Sequence, residues 1–164
     1  MKRLLCTVLA VSATAALVVA VSASGDQSPQ PTHHGHGHGG PGGKVITVIE
    51  HATSDTTTDT GATGDSVGDV LTFANDVFDG SNANKVGTDQ GYCLRVVAGT
   101  SYECTWTTFL PGGQIVVAGP FYDAKDSTLA ITGGTGRYRD ARGSMELHAR
   151  SGGTEFAFVF HIDD

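Results

Sequence analysis

From Lys44 to its end the chain predicts an all-β domain, an eight-stranded antiparallel β-barrel. Three observations carry this expectation. Eight short stretches alternate apolar and polar residues, the period of a strand with one face buried. Turn residues rich in Gly, Asn and Asp separate them almost without a break. No stretch has helical periodicity, and no proline interrupts a putative central strand. Closing such a sheet removes its exposed edges. A two-sheet sandwich is the alternative.

The first predicted strand, Lys44–His51, is apolar on both faces, with Ile46, Val48 and Glu50 on one and Val45, Thr47 and Ile49 on the other. A Thr/Asp/Gly-rich stretch, 52–68, reads as a loop. The second strand, Asp69–Phe78, sets Leu71, Phe73, Asn75 and Val77 on one face. After a turn at Asp79–Asn84, the third and fourth strands, Lys85–Val97 and Ser101–Leu110, form a hairpin. Centring it between Ala98 and Gly99 sets Cys93 opposite Cys104, at the Cβ separation a disulfide needs. Two free, buried thiols are the other possibility. Pro111-Gly112-Gly113 turns the chain into the fifth strand, Gln114–Gly119, and the sixth is Thr128–Thr132. Gly133–Ala141 reads as a long loop. In the seventh strand Met145, Leu147 and Ala149 oppose Ser144, Glu146, His148 and Arg150. In the eighth, Phe156, Phe158, Phe160 and Ile162 alternate with Glu155, Ala157, Val159 and His161.

The N-terminal end is of a different character. Lys2 and Arg3 precede an apolar run from Leu4 to Val21 that ends in Ser22-Ala23, the pattern of a secretory signal peptide over residues 1–23. An uncleaved anchor helix is the competing reading. Residues 24–43 form a Ser/Pro/Gln/Gly tether without apolar anchors. The barrel domain then occupies 44–164. Within the tether, His33, His34, His36 and His38 offer imidazoles to a transition metal, but on a backbone too flexible to fix a coordination geometry.

Cleavage after Ala23 leaves 8 basic against 17 acidic residues, a net charge of −9. An acidic domain without a basic cluster is a poor partner for nucleic acid or anionic membranes, and no membrane association is expected after signal cleavage. Export to an oxidising, extracellular compartment favours pairing Cys93 with Cys104. Gly133-Gly134-Thr135-Gly136 does not continue as a dinucleotide fingerprint, since Arg139 stands where the third glycine belongs and no helix pattern follows. It reads as a tight turn. No nucleophile elbow and no clustered metal ligands appear on the strands, and no cofactor is expected.

The candidate site residues are polar groups on apolar faces. Glu50 shares a face with Ile46 and Val48, and Asn75 with Leu71 and Phe73. A carboxyl inside an apolar barrel has its pKa raised toward the range of a general acid or base. If the first strand turns its other face inward, Glu50 is simply exposed. Arg95 shares a face with Cys93 and either anchors a ligand carboxylate or is solvated or ion-paired. Phe156, Phe158, Phe160, Trp106 and Met145 form core or cavity wall.

Several strings resemble the allene oxide cyclase and dirigent-protein group, the cyclases most closely. They are Gly68–Asn75, Lys85-Val86-Gly87 through Gly91-Tyr92-Cys93, Gly119-Pro120-Phe121-Tyr122, Asp126–Gly136, Ala141-Arg142-Gly143 and Phe156–Phe160. The resemblance implies a lipocalin-like barrel, a homotrimer, and a cavity for a small hydrophobic ligand. It implies an isomerase or cyclase chemistry in which the cavity restrains a reactive molecule and steers its ring closure or stereochemistry. By the same resemblance Asn75 matches a water-holding asparagine, Cys93 a cavity-lining cysteine and Glu50 a charge-stabilising glutamate. Trp106 falls where the cyclases place a cavity tyrosine. Ala52 stands where the cyclases carry an asparagine, and 52–60 has no Ser-Pro. The expected site is therefore Glu50 and Asn75 as catalytic groups, with Cys93, Arg95, Trp106 and Phe158 against the ligand.

Overall fold

The computed structural model describes residues 43–163; the predicted signal segment and the histidine tract lie outside them. Nine strands follow one another: β1 (Lys44–His51), β2 (Thr56–Thr58), β3 (Val70–Asp79), β4 (Lys85–Val97), β5 (Ser101–Leu110), β6 (Gly113–Tyr122), β7 (Ser127–Gly136), β8 (Gly143–Arg150) and β9 (Glu155–Ile162). From β3 to β9 each pairs with the next, antiparallel. β1 then pairs with β9 along its length and with β3 through Val48↔Asp79 to His51↔Asp76, which closes the ring. The result is the expected eight-stranded antiparallel barrel, and the sandwich alternative falls away. β2 is an addition: it continues beyond the end of β1 along the same flank of β3, from Thr56↔Thr72 to Thr58↔Val70.

In β3, β8 and β9 the period-two reading places the core correctly. Val48, Val77, Ile115, Val117, Met145 and Phe160 are buried in the barrel, and Leu129 and Ile131 join them from β7. The loop after β7 packs Tyr138 and Ala141 into the same cluster beside Lys44 and Ile162, and so fills one end of the barrel. The opposite half is less tightly filled, and it holds the cavity.

Three sequence expectations require correction. The segment 52–68 is not loop throughout, because β2 lies in it. β6 runs beyond Gly119 to Tyr122 and so contains Pro120. The proline is tolerated because β6 is paired with β7 only as far as Ala118↔Ala130; Pro120 faces Glu103 of β5 on one side and no ladder on the other. Finally, Gly133–Gly136 is not a turn but the end of β7, paired with Val116 to Gly113 after a bulge at Thr132. Glycine is required there for space. A Cβ on Gly134 would collide with the carbonyl oxygens of Gln114 and Tyr138, where the plugging loop folds back onto the strand.

Cys93 and Cys104 are directly opposed on β4 and β5 and joined by a disulfide. The bridge encloses a short hairpin, with a sequence separation of 11 residues. Loop-closure entropy gives it about 3 kcal/mol. Reduction is expected to lower the melting temperature without unfolding the barrel at room temperature, and a thermal melt with and without dithiothreitol measures this.

Candidate functional site

The site is built where the ladder between β1 and β3 fails. After His51↔Asp76 the β1 chain leaves the sheet, and Ala52 N donates to Thr154 O at 3.0 Å instead. Pairing with β3 resumes only at Thr56. Asn75 fills the gap. Its Oδ1 accepts from the backbone N–H groups of Thr53 and Ser54, at 3.0 and 2.9 Å. Its Nδ2 donates to Glu50 Oε1 and to Asp55 Oδ1, both at 2.8 Å. The hydroxyl of Ser54 completes the patch on the backbone of Ala74. All four bonding positions of the Asn75 amide are thus used within the protein. Its visible effect is to hold Glu50 and Asp55.

Glu50 points into the barrel, so the alternative of an exposed glutamate is not what the structure shows; it is 5% exposed. A second buried carboxyl stands close by. Asp89 of β4 is paired cross-strand with Asn75, is 2% exposed and accepts the Asn75 backbone N–H on Oδ1 at 3.2 Å. Asp89 and Glu50 are thus two buried carboxyls, and the charge of each opposes the ionisation of the other. Asp89 Oδ2 is buried and has no hydrogen-bond partner among the described residues. Burial raises the pKa of both groups. For Asp89 burial, the charge of Glu50 and the hydrogen bond to it push the value up to about 9. For Glu50 burial outweighs the hydrogen bonds from Asn75 and Asp89, and Asp55 adds to the rise. Burial and mutual repulsion thus oppose ionisation of both carboxyls at once.

This burial has a consequence for stability. In the unfolded chain Asp89 ionises near its ordinary value of about 4, whereas the folded protein keeps the proton up to about 9. The folded state therefore binds more protons across that window, and stability falls as pH rises through it. Asp89→Asn keeps an acceptor for Asn75 N but cannot ionise. Relative to the wild type, its melting temperature is expected to rise progressively from pH 4 to pH 9. Melts at pH 4, 7 and 9 test this; a constant difference would sink it.

Glu50 and Asp55 form the polar end of a cavity of about 40 Å³ that opens to solvent. Its walls are aromatic. Trp106 packs at 5.4 Å from Phe158 and edge-on to Phe73 at 6.0 Å, and Phe121 meets Phe156 edge-on at 5.9 Å. The Cys93–Cys104 bridge, Leu71 and Leu147 complete the lining. Gly91, cross-strand from Trp106, leaves the room the indole needs: a Cβ there would overlap the Trp106 side chain and the Thr105 carbonyl. Trp106 is 4% exposed, and its Nε1–H has no partner among the described residues. Nor has the buried hydroxyl of Thr108, cross-strand from Asp89.

Of the residues singled out in the sequence, Glu50, Cys93, Trp106 and Phe158 line one cavity, and Asn75 stands behind its acidic end. Arg95 does not join them. It is buried nearer the hairpin end of β4, where its Nη1 donates to both oxygens of Asp123 at 2.7 and 2.8 Å and its Nε lies 2.7 Å from Asp65. The guanidinium stacks 3.6 Å over the Tyr102 ring. Arg95 thus ties the segment before β3 to the turn after β6. Asp89, Asp55 and Thr108 were absent from the sequence-based candidates. Asp89 had a usable signal, since it lies on the same face of β4 as Cys93 and Arg95, two positions along from Gly91.

Comparison with known proteins agrees with this architecture. The model of the allene oxide cyclase barrel like domain matches residues 49–158. A pyocyanin demethylase superposes with a TM-score of 0.63 at 25% identity, covering 71% of this chain and 98% of its own. AbnU, an exo-specific intermolecular Diels-Alderase, gives 0.60 at 13% identity, over 74% of this chain and 98% of that one. The pterocarpan synthase dirigent protein GePTS1 gives 0.54 at 18% identity, over 74% and 90%. The family match spans well over half of the chain and nearly all of the closed barrel, so this protein belongs to the allene oxide cyclase barrel-like family.

Proposed function

We propose that the barrel binds a small, largely apolar molecule in its aromatic cavity and guides its cyclisation or stereochemical outcome, using the Glu50–Asp89 pair as the acid–base group. The observation that carries this reading is a buried carboxyl, Glu50, backed by a second buried carboxyl, Asp89, at one end of a cavity that is otherwise apolar. A carrier needs only the apolar walls. Two buried carboxyls cost stability at neutral pH, and such a cost is characteristic of sites that use the group.

The chemistry follows from the lining. Aromatic walls restrain a flexible or flat reactant in one conformation and keep bulk water away. A carbonyl or strained oxygen placed at Glu50 receives a hydrogen bond or the proton as negative charge develops on it, and the pair takes the proton back from the product. AbnU and GePTS1 are named for a Diels–Alder reaction and for pterocarpan synthesis; both names support a ring-forming or orienting use of this barrel. A non-catalytic carrier is the second reading, favoured by the closed network around Asn75. The signal segment read in the sequence and the disulfide support secretion as the setting.

The first experiment is native mass spectrometry of the protein purified from its own source, followed by denaturing analysis of whatever co-purifies. A bound apolar molecule supplies the compound to test for turnover. An empty barrel, with metal bound or nothing at all, counts against the cavity readings and favours a role for the histidine tract. Deleting residues 24–43 is expected to leave cavity binding unchanged, as measured by calorimetry with that compound. A metal-dependent function lost with the deletion would make the tract the active part instead.

A further inference from the structure

The cavity carries charge of one sign only. Glu50 and Asp55 line it, Asp89 stands behind Glu50, and no Lys, Arg or His is among the lining residues. Arg95, on the same face of β4 as Cys93, is already held by Asp65 and Asp123. Aromatic rings line it: Phe73, Trp106 and Phe158 pack on one another, and Phe121 packs on Phe156. Separately, the buried Trp106 Nε1–H lacks an acceptor.

We infer that the cavity selects a flat aromatic molecule bearing a cationic or hydrogen-bond-donating group, and rejects carboxylates. The inference refines the ligand class of the proposed function and rests on that reading for the location of the site. A cation entering the cavity gains from Asp55 at the mouth, from whatever charge the Glu50–Asp89 pair carries, and from the faces of the aromatic walls. A carboxylate meets like charge with no counter-ion, in a space where such repulsion is only weakly screened.

Three bicyclic probes of nearly equal size separate the possibilities: 1-methylquinolinium, 2-methylnaphthalene and 2-naphthoate. Binding is followed at pH 7 by the indole N–H resonance of Trp106, the only tryptophan in the chain. The quinolinium is expected to bind at least tenfold more tightly than 2-naphthoate and to shift that resonance. The double variant Glu50→Gln, Asp55→Asn is expected to remove the preference while still binding 2-methylnaphthalene. Equal or tighter binding of 2-naphthoate by the wild type overturns the inference, and so does a preference that survives in the double variant. If none of the three shifts the Trp106 resonance, the inference is overturned together with the cavity as a binding site. Loss of the charge preference with 2-methylnaphthalene still bound leaves the proposed function standing.

Discussion

Replacing Glu50 by Gln is expected to lower turnover about 10²–10⁴-fold, the contribution of a positioned acid–base group, while ligand affinity changes only a few-fold. The amide has nearly the shape of the acid and can still accept from Asn75 Nδ2, the bond that orients Glu50 at 2.8 Å. What it loses is the capacity to exchange a proton with Asp89 and to carry charge. Asp89→Asn isolates the other half of the pair. It keeps the acceptor for Asn75 N, but the titratable proton of Asp89 is gone. If the pair works as a unit, the two single variants and the double variant should lose similar amounts, because removing either partner removes the same proton. The wild-type rate should also fall as pH rises toward about 9, where Asp89 gives up its proton, and that limb should vanish in Asp89→Asn. Both variants are read by single-turnover kinetics on the co-purified compound, with affinity measured separately. Unchanged turnover in Glu50→Gln would remove Glu50 from the mechanism and leave the barrel a carrier.

The barrel was legible in the sequence because β3, β8 and β9 alternate strongly, so their inward faces could be assigned from apolarity alone. Asn75 then stood out as a polar residue on such a face, whereas β1, apolar on both faces, left Glu50 open between burial and exposure. β4 defeats the same rule. Its outward residues Tyr92, Leu94 and Val96 are exposed and apolar, whereas inward-facing Asp89, Cys93 and Arg95 are buried and mostly polar. A reading by apolarity assigns that strand the wrong way round, and Asp89 disappears among solvated residues. The cysteine was the one reliable marker of the inner face, and Asp89 lies an even number of residues from it. Asp55 was hidden for a different reason: it sits in the gap between β1 and β2, where no periodicity operates. The end of β7 was missed because its glycines have poor strand propensity, although close packing against Tyr138 and Gln114 demands them.

Removing the amide of Asn75 should be the most destabilising single change in the site. In Asn75→Ala the backbone N–H groups of Thr53 and Ser54 lose their acceptor, Glu50 and Asp55 lose their donor, and a cavity opens in the gap of the sheet. Each polar group left unsatisfied in a buried setting costs about 1–3 kcal/mol. Thr53 and Ser54 are exposed and recover part of this from water, so a loss of roughly 3–4 kcal/mol is expected. For a domain of this size that lowers the melting temperature on the order of 10 °C. Asn75→Asp makes the argument sharper. It retains the acceptor for both backbone N–H groups but replaces the donor by a third carboxyl beside Glu50 and Asp89. If Asn75 serves mainly to bridge the broken ladder, Asn75→Asp should be nearly as stable as the wild type at low pH, where its carboxyl is protonated and can donate. It should then lose stability steeply as pH rises, through repulsion within the acidic cluster. Were Asn75 merely a side chain on the wall, both variants would melt within a few degrees of the wild type at every pH. The catalytic test gains from the same pair of variants. Activity lost in proportion to the displacement of Glu50, and recovered in Asn75→Asp at low pH where folding recovers, assigns Asn75 to positioning. Activity absent from a fully folded Asn75→Asp places its amide in contact with the substrate.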